Sequence, residues 1–469
     1  MDKFTSTIKS QIFPLSCVDA YSSCVTIPLY YFFENKHSDS KFMPSALLKD
    51  SFYSTLQEFP FFAGHLRMDT GGVDAFINVD ADNLNMPDYA EYSSDVGFSD
   101  LKVARFSPSA LPSQISEADV FSTANKDGVA KLVRIKIARL RNNSGLIILA
   151  NPVHALADAY GFCEFMKRWS HVCKAMANET SIVGSCLLTD RKALHDCLPE
   201  EGAPVDETTA MVLGKSSMLS TLLAWLSPEK RAEFYNTVTP CALTDNHMFY
   251  LSNEKLRALK EAASIASGMR LSSNDIITAV LSMVAVQSNQ AQDGNADDET
   301  IIVNFPVDFR RRLNNKPVMV NYTGNCVVAP MLPFQYRELR AELNSESVAA
   351  CAVKVRHLVD QVTPQYVRGS VDLIGSAPDC MTRAAAHSSS IASGFCLSNH
   401  SRIDYYGVDF GHGSPVWINP PKVYVPNYAT ILPTSTYDGG CYVYLSLLKG
   451  DMARALQNKF WCSVTDLVN

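Results

Sequence analysis

His154 and Asp158 are the residues whose types and spacing suggest chemistry most directly. They enclose the pentad His154-Ala155-Leu156-Ala157-Asp158, an H-x-x-x-D pattern. A neutral imidazole can take a proton from a hydroxyl near pH 7, because its unperturbed pKa is about 6.5. An alcohol is a poor nucleophile toward a thioester, and a base of this kind contributes roughly 10²–10⁴-fold to the attack. We therefore take His154 as a candidate general base in acyl transfer.

The pentad alone admits other interpretations, since the chain has 10 histidines and 48 acidic residues. A structural histidine with satisfied hydrogen bonds is one of them. A metal pair is another, but no third ligand stands nearby and we expect no metal. A hydrolase with a Ser-His-Asp or Cys-His arrangement is a third, although no G-x-S-x-G elbow occurs in the chain.

The elements around the pentad are predicted to place His154 on a turn between a strand and a helix. Val133–Ile137 alternates apolar and charged residues, as does a strand with one buried face. Leu146–Ala150 is a continuous apolar run, typical of a strand near a sheet centre. Apolar residues recur at helical spacing from about Asp158 onward. Turns of this kind carry functional side chains more often than the elements they join.

Helices and strands alternate in the rest of the chain as well, with a polar stretch of little periodicity between residues 187 and 209. We therefore predict two α/β domains with a ligand site between them. The predicted division is 1–186 for the domain with the pentad, 187–215 for an exposed crossover connection, and 216–469 for the second domain. The predicted helices are Ser45–Phe59, Asn253–Ser267 with Ser252 as its cap and Gly268 at its end, and Ser273–Gln287; the strands are Phe249–Leu251, Ile301–Phe305 and Cys441–Leu448; Asn289–Glu299 is a surface loop and Gly407–Gly413 a turn.

Composition limits the classes of partner. The 469 residues carry a formal net charge of −7 and 47% hydrophobic residues, which indicates a globular chain with a large core. No basic cluster could follow a nucleic-acid backbone, so we expect no nucleic-acid partner. The apolar runs are shorter than the roughly 20 residues that span a bilayer, and the N-terminus does not resemble a signal peptide. We expect a cytoplasmic, monomeric protein without a membrane partner.

Several segments besides the pentad agree in order and spacing with one known family. Together with the pentad they resemble the BAHD acyltransferases, especially the fungal branch that acetylates trichothecenes. The resemblance implies two similar mixed-sheet domains of the chloramphenicol acetyltransferase-like type, with an active-site channel between them. The segments are Leu15-Ser16-Cys17-Val18-Asp19, the stretch Leu56–Leu66, Asp308-Phe309-Arg310-Arg311-Arg312, Asn321-Tyr322-Thr323-Gly324-Asn325 and Asp409-Phe410-Gly411-His412-Gly413.

The resemblance implies roles for individual residues. His154 is the general base, while Asp158 points away from it and forms a salt bridge that fixes the turn. Arg310 is the expected partner of Asp158 and Arg312 the alternative. His412 stands where the family has tryptophan, which puts a contribution from that position in doubt.

Two further groups of residues fall in regions that resemble the family's active site. The first group could stabilise the oxyanion of the tetrahedral intermediate, although the segment around His412 could instead merely shape a turn. The second could contact the phosphates of coenzyme A. The first comprises Ser398, Asn399 and His412, and the second Lys260, Ser272, Ser273 and Arg312.

The sequence therefore predicts an acyltransferase that moves an acyl group, with acetyl favoured, from coenzyme A to a hydroxyl of a small specialised metabolite. No tightly bound cofactor is expected, and acyl-CoA is the co-substrate. One alternative is an inactive relative that binds a metabolite or partner. Another is an N-acyltransferase, because the same base serves an amine.

Overall fold

Two mixed β-sheets, one of five strands and one of seven, form the framework of the chain. The structure is a computed structural model that describes residues 2–23, 25–116, 130–205, 243–289, 299–313, 316–380, 382–383, 394–423 and 425–469. Residues 206–215 of the predicted crossover, 216–242 of the predicted second domain and 290–298 of the predicted surface loop lie outside this part of the chain. The expected α/β architecture with two mixed sheets is confirmed.

The five-stranded sheet has the order β14-β2-β7-β6-β5, and the seven-stranded sheet has the order β12-β9-β13-β15-β16-β8-β17. A small sheet β1-β4-β3 and the pair β10-β11 complete the described strands. The strands, numbered along the chain, are β1 (Gln11–Pro14), β2 (Leu29–Glu34), β3 (His65–Met68), β4 (Ala75–Val79), β5 (Asp88–Ser93), β6 (Val133–Arg139), β7 (Gly145–Pro152), β8 (Thr244–Leu251), β9 (Thr300–Asn304), β10 (Val307–Asp308), β11 (Val327–Val328), β12 (Met331–Gln335), β13 (Gly394–Asn399), β14 (Trp417–Asn419), β15 (Tyr428–Pro433), β16 (Cys441–Leu448) and β17 (Asp466–Leu467).

Helices pack against both large sheets, and none of those in the described residues is long and apolar enough to cross a membrane. The longest follows β7 and carries its apolar stripe toward the five-stranded sheet. The α-helices are Asp2–Thr5, Cys17–Tyr21, Ser45–Thr55, Phe98–Val103, Ala159–Ala177, Lys192–Cys197, Asn253–Ser267, Ser273–Ser288, Lys316–Met319, Tyr336–Arg340, Ser345–Gln361, Pro364–Gly375, Lys449–Ala455 and Lys459–Val464, and short 3₁₀ turns cover Pro60–Ala63, Pro108–Ala110, Arg141–Asn143 and Tyr405–Gly407.

Strand β7 lies at the centre of the five-stranded sheet, and every one of its eight residues is buried. It pairs antiparallel with β2 on one side and with β6 on the other. A strand covered on both faces and both edges needs a continuous apolar run, which the sequence supplies. The helix Ala159–Ala177 begins directly after the pentad, and Asp158 caps it by accepting a hydrogen bond from the backbone N–H of Gly161. The predicted strand, turn and helix are all present.

Two other element boundaries differ from the sequence prediction, and a third agrees with it. The first long helix was predicted to reach Phe59, but it ends at Thr55, and Pro60 opens a separate 3₁₀ turn. Strand β8 begins at Thr244, well before the predicted Phe249, because its polar residues pair with β16. The left-handed Gly268, with φ of 65°, ends its helix as predicted.

The segment after residue 187 is not the wholly exposed connection that was predicted. It contains the helix Lys192–Cys197, and Leu194 is fully buried in the core of the seven-stranded sheet. Arg191 is only 7% exposed. A six-residue helix with one buried face is too short to show periodicity in a polar sequence, so the prediction missed it.

The two sheets also do not follow the predicted division of the chain. Strand β14, from the second half, pairs with β2 of the five-stranded sheet. Tyr405, Phe410 and Ile418 belong to the same apolar core as β7. The segment that carries Asp409-Phe410-Gly411-His412-Gly413 therefore packs on the first half of the chain. For the remaining elements, the division of the chain at residues 187–215 stays a prediction.

Gly161 provides a test of how tightly the helix after the pentad docks. A Cβ atom at this position would lie 2.0 Å from the carbonyl oxygen of Thr323. We expect Gly161→Ala to lower the free energy of unfolding by about 1–3 kcal/mol, because the backbone would have to move. Chemical denaturation measures this, with Gly184→Ala as the matched control, since nothing lies within 4 Å of that position. Equal stability of the two variants would show that the docking is loose.

Candidate active site

Two hydrogen bonds fix the backbone of His154. Its N–H donates to the carbonyl of Val25 at 2.8 Å, and its carbonyl accepts from the side-chain amide of Asn325, also at 2.8 Å. The neighbours Val153 and Ala155 are buried, whereas His154 keeps part of its surface exposed. His154 is thus held at a defined position with part of its surface exposed.

The environment of the His154 ring favours its neutral form. Burial lowers its pKa below the ordinary value of 6.5, and this effect outweighs a hydrogen bond to its own backbone and the negative charge of Asp158, which raise it. A neutral imidazole can accept a proton at neutral pH. The residue therefore has the protonation state that a general base requires.

The carboxylate of Asp158 uses its acceptor sites for groups other than the His154 imidazole. Its two carboxylate oxygens accept from the guanidinium of Arg310 at 2.8 and 2.9 Å, and each accepts one backbone N–H, from Gly161 and Cys326, at 2.9 Å. Burial by itself would raise the pKa of Asp158, but Arg310 and these hydrogen bonds hold it below its ordinary value. The carboxylate is ionised and joins the start of the helix to the opposite segment.

Arg310, the partner expected for Asp158, is 2% exposed, and all five of its side-chain N–H groups meet acceptors. Besides Asp158 it donates to the carbonyls of Tyr322 and Gly324 and to the carboxylate of Asp308. A buried ion pair is stable only when its remaining donors and acceptors are satisfied in this way. Arg310 therefore ties three separate segments together beneath the pentad.

Arg312, the alternative partner, lies elsewhere. Its guanidinium donates to the carbonyls of Val359 and Val362 at 3.0 and 2.8 Å, at the end of the helix Ser345–Gln361. Burial lowers its pKa, and the neighbouring Arg356 adds to this effect. Arg310 alone of the two arginines contacts Asp158.

A second buried network supports the pentad, and no role was predicted for two of its members, Asp19 and Asn325. The Asp19 carboxylate is fully buried and accepts from the backbone N–H and side-chain amide of Asn325 at 3.0 and 2.7 Å. That amide also holds the carbonyl of His154. Arg191 pairs with Asp19 at 3.2 Å and donates to the carbonyl of Leu156. Each of these residues comes from a distant part of the chain, so only the fold reveals their common target.

The structure does not bring His412 to this site. Its ring packs against Phe42, 5.2 Å between centroids, and its Nδ1 lies 3.5 Å from the Asp39 carboxylate. The Asp39 carbonyl accepts from Asn143, just before β7 begins, whereas His154 follows the end of β7. Eight residues of strand separate these ends by about 25 Å. The prediction of His412 as an oxyanion donor is therefore wrong.

The segment around His412 shapes a turn, as the alternative interpretation held. Asp409 accepts from the backbone N–H groups of Gly411 and Gly413, both of which have positive φ, at 97° and 95°. Phe410 is buried against Trp169 and Phe33. Glycine is required at these two backbone angles because a Cβ would be strained there.

Of the other candidate oxyanion donors, Asn399 is engaged in structure. Its amide donates to Asn274 at 2.9 Å, and its carbonyl oxygen accepts from the N–H and hydroxyl of Ser401. The bond to Asn274 joins the end of β13 to the start of the helix Ser273–Ser288. Ser398, one residue earlier, lies 2.8 Å from a ring nitrogen of His400.

Three predicted coenzyme A contacts lie near the start of that same helix or on the helix before it. Ser272 is its N-cap and exchanges hydrogen bonds with Asp275, and Ser273 is its first residue. Lys260 lies partly exposed on the helix Asn253–Ser267. A helix N-terminus favours anions, so the position of the two serines is compatible with a phosphate. The described residues contain no group of three His, Cys, Asp or Glu side chains that could hold a metal.

Comparison with known proteins defines the family to which the chain belongs. A family model described as Transferase family matches residues 3–460. Because the match covers most of the chain, the chain belongs to this family, whose members include the BAHD acyltransferases that its motifs resemble. A BAHD acyltransferase of Arabidopsis thaliana is 23% identical over 96% of this chain and 94% of its own length.

Two other relatives differ in how far the similarity extends. Agmatine coumaroyltransferase-1 of Hordeum vulgare is 22% identical over 94% of this chain and 92% of its own length. Anthranilate N-benzoyltransferase protein 2 of Dianthus caryophyllus is 23% identical over 44% of this chain. The chain thus spans about 45% of the length of that relative.

Solved structures with the same fold include one in complex with two ligands. F. graminearum TRI101, complexed with coenzyme A and T-2 mycotoxin, has a TM-score of 0.74 at 17% identity and covers 98% of this chain and all of its own. Vinorine synthase has a TM-score of 0.62 at 18% identity and covers 98% of this chain and 94% of its own. At 17% and 18% sequence identity, the similarity to these structures shows a shared fold and nothing finer.

Asp158→Ala tests the structural role of the buried pair. The variant leaves Arg310 buried without its carboxylate, and we expect a loss of about 3–5 kcal/mol in the free energy of unfolding. Asp372→Ala is the control, because it breaks the solvent-accessible pair with Arg368 and should change stability by less than about 1 kcal/mol. Denaturant unfolding of both variants provides the measurement. A fully stable but inactive Asp158→Ala protein would contradict the structural role.

Proposed function

We propose that the chain is a coenzyme A-dependent O-acyltransferase in which His154 is the general base. The observation that supports this most is the neutral, partly exposed imidazole of His154, held over the buried pair of Asp158 and Arg310. The acceptor is a hydroxyl of a small, specialised metabolite, and the donor is an acyl-CoA, with acetyl-CoA favoured. The fold and family support this assignment.

The reaction proceeds in a ternary complex without a covalent enzyme intermediate. Because Nδ1 of His154 is buried, Nε2 accepts the hydroxyl proton as the acceptor oxygen attacks the thioester carbonyl. The tetrahedral intermediate then collapses with cleavage of the carbon–sulfur bond. The imidazolium returns the proton to the leaving thiolate, which releases coenzyme A and leaves His154 neutral.

Names of known proteins support both an oxygen and a nitrogen acceptor. TRI101 has been crystallised with coenzyme A and T-2 mycotoxin or deoxynivalenol, and its similarity supports the O-acetyl assignment. The relatives named for anthranilate and agmatine indicate amines, so N-acylation is the second candidate. A binding protein without activity is a third, which the positioned His154 disfavours.

Coenzyme A is proposed to bind along the helices Asn253–Ser267 and Ser273–Ser288. Lys260 would supply a positive charge, and Ser272 and Ser273 the positive end of a helix. Arg312 donates to two backbone carbonyls, so its contribution would be an electrostatic one at a distance. A cytoplasmic location, a monomeric state and the absence of nucleic-acid and membrane partners complete the proposal.

His154→Ala tests the base directly. We expect kcat for transfer from acetyl-CoA to fall by about 10²–10⁴-fold, because the hydroxyl would lose its proton acceptor. Release of free thiol across a panel of alcohols and amines gives the rate, and mass spectrometry identifies the product. His171→Ala, on the exposed side of the helix Ala159–Ala177, should behave as the wild type. An unchanged rate in His154→Ala would refute the mechanism, and a wild type inactive with all donors would favour the binding protein.

The pH dependence should reflect the lowered pKa of His154. A base works when deprotonated, so the acid limb of kcat/KM should lie below pH 6.5 and the rate should stay level from there toward pH 8. Protonation of this group favours the unfolded chain, where its pKa is ordinary, so its contribution to stability falls as pH drops below about 6.5. A pH–rate profile with an acid limb at or above 6.5 would contradict the burial of the ring.

A further inference from the structure

The turn that carries His154 is held at two of its carbonyl groups by side chains from other parts of the chain. The carbonyl of His154 accepts from the amide of Asn325 at 2.8 Å, and the carbonyl of Leu156 accepts from the guanidinium of Arg191. Leu156 is 1% exposed, and a carbonyl buried this deeply needs a hydrogen-bond donor. The orientation of the peptide groups beside the imidazole therefore depends on both contacts.

Asp19 connects these two contacts. Its Oδ1 accepts from the same amide of Asn325 at 2.7 Å, and its Oδ2 lies 3.2 Å from Nε of Arg191. Ser16 donates to Oδ2 through its backbone N–H and its hydroxyl, at 3.0 and 2.7 Å. Within the part of the chain that the structure describes, Arg191 is the only positively charged side chain that forms an ion pair with Asp19. Asn325 and Arg191 are thus joined through one buried carboxylate.

The guanidinium of Arg191 has little freedom to move. Its Nη1 donates to the carbonyl of Thr189 at 2.9 Å. Its central carbon lies over two aromatic rings, 5.3 Å from the centroid of Phe61 and 5.6 Å from that of Tyr322. A lysine could not replace these contacts, because its ammonium lacks the planar fork of donors that a guanidinium holds in fixed directions. Arg191 therefore fixes the crossover segment and the turn relative to each other.

The pair of Asp158 and Arg310 acts at a different point of the turn. It fixes the last residue of the pentad and the start of the helix Ala159–Ala177, because Arg310 donates to Asp158 and Asp158 caps the helix. The contact of Arg191 lies earlier in the turn, at Leu156. Two separate anchors therefore act on the pentad, and the one closer to the proposed base in sequence depends on Arg191.

We propose that Arg191 is a positioning residue that sets the direction of the His154 imidazole. This inference rests on the acyl transfer proposed above. Arg191 acts directly through the carbonyl of Leu156 and indirectly through Asp19 and Asn325, and it takes no part in the proton transfer itself. Without Arg191 the base is still present, but its Nε2 meets the acceptor hydroxyl less often at hydrogen-bond distance. A displacement of about 1 Å in such a group can lower the rate by roughly 10²-fold.

The kinetic test uses Arg191→Lys, which keeps a positive charge beside Asp19 and loses the planar donors. We expect kcat for transfer from acetyl-CoA to an accepted alcohol to fall by about 10–100-fold, with KM for both substrates changed by less than about 2-fold. Arg368→Lys is the matched control. Arg368 also pairs with an aspartate, Asp372, and donates to a carbonyl of the crossover segment, that of Pro199, but its bonded partners lie outside the pentad. This control should keep the kcat of the wild type.

A double variant shows whether Arg191 acts through the base. In a His154→Ala background, Arg191→Lys should lower the remaining rate by less than about 2-fold, because residues that act as a unit are not additive. If the two effects multiply, or if folded Arg191→Lys is as fast as the wild type, Arg191 has no positioning role and the transferase assignment stands. If the wild type transfers nothing from any donor, the proposed function fails and this inference fails with it.

Hydrogen exchange measures the same coupling without substrates. The amides of His154 and Leu156 donate within the turn and its surroundings, and Arg191→Lys should speed their exchange by at least about 5-fold relative to Arg368→Lys, while the amides of β7 stay protected. Unchanged exchange at the turn would overturn the proposal. Should Arg191→Lys not fold, Asp19→Asn/Arg191→Met removes both charges of the buried pair together and should show the same loss of kcat and of protection.

Discussion

The site depends on one buried ion pair, that of Asp158 and Arg310. Its members lie 152 positions apart in the sequence, and the guanidinium also holds the carbonyls of Tyr322 and Gly324. Charges this deeply buried are tolerated only with every donor and acceptor paired, as they are here. The pair therefore permits one arrangement of the pentad against the opposite segment, and the position of His154 follows from that arrangement.

The spacing of the pentad has a simple geometric explanation. His154 begins the turn that leaves β7, and Asp158 stands four residues later as the N-cap of the next helix. The cap position turns the carboxylate toward the helix start and Arg310, away from the imidazole. A second anchor, Asp19 through Asn325, holds the carbonyl of His154 from the other side. The proposed base is thus positioned through backbone contacts.

Local elements of the fold were predictable, and contacts between distant segments were not. Periodicity indicated β7 and the helix after it because burial imposes a fixed pattern on neighbouring residues. The same approach placed Arg191 in an exposed connection and missed its burial. It also could not assign β14 to the sheet of the first half, since three residues carry no information about their partner strand.

The sequence by itself determined the family, and it supplied the candidate base and the proposed chemistry. An imidazole on a strand-to-helix turn, with motifs in a fixed order, was sufficient for that. Only the tertiary structure decided which polar side chains meet: it excluded His412, kept Arg310 over Arg312, and joined Asp19 to Asn325 beneath His154. The physical reason is that hydrogen bonds and burial depend on distance in space, while a sequence records only distance along the chain.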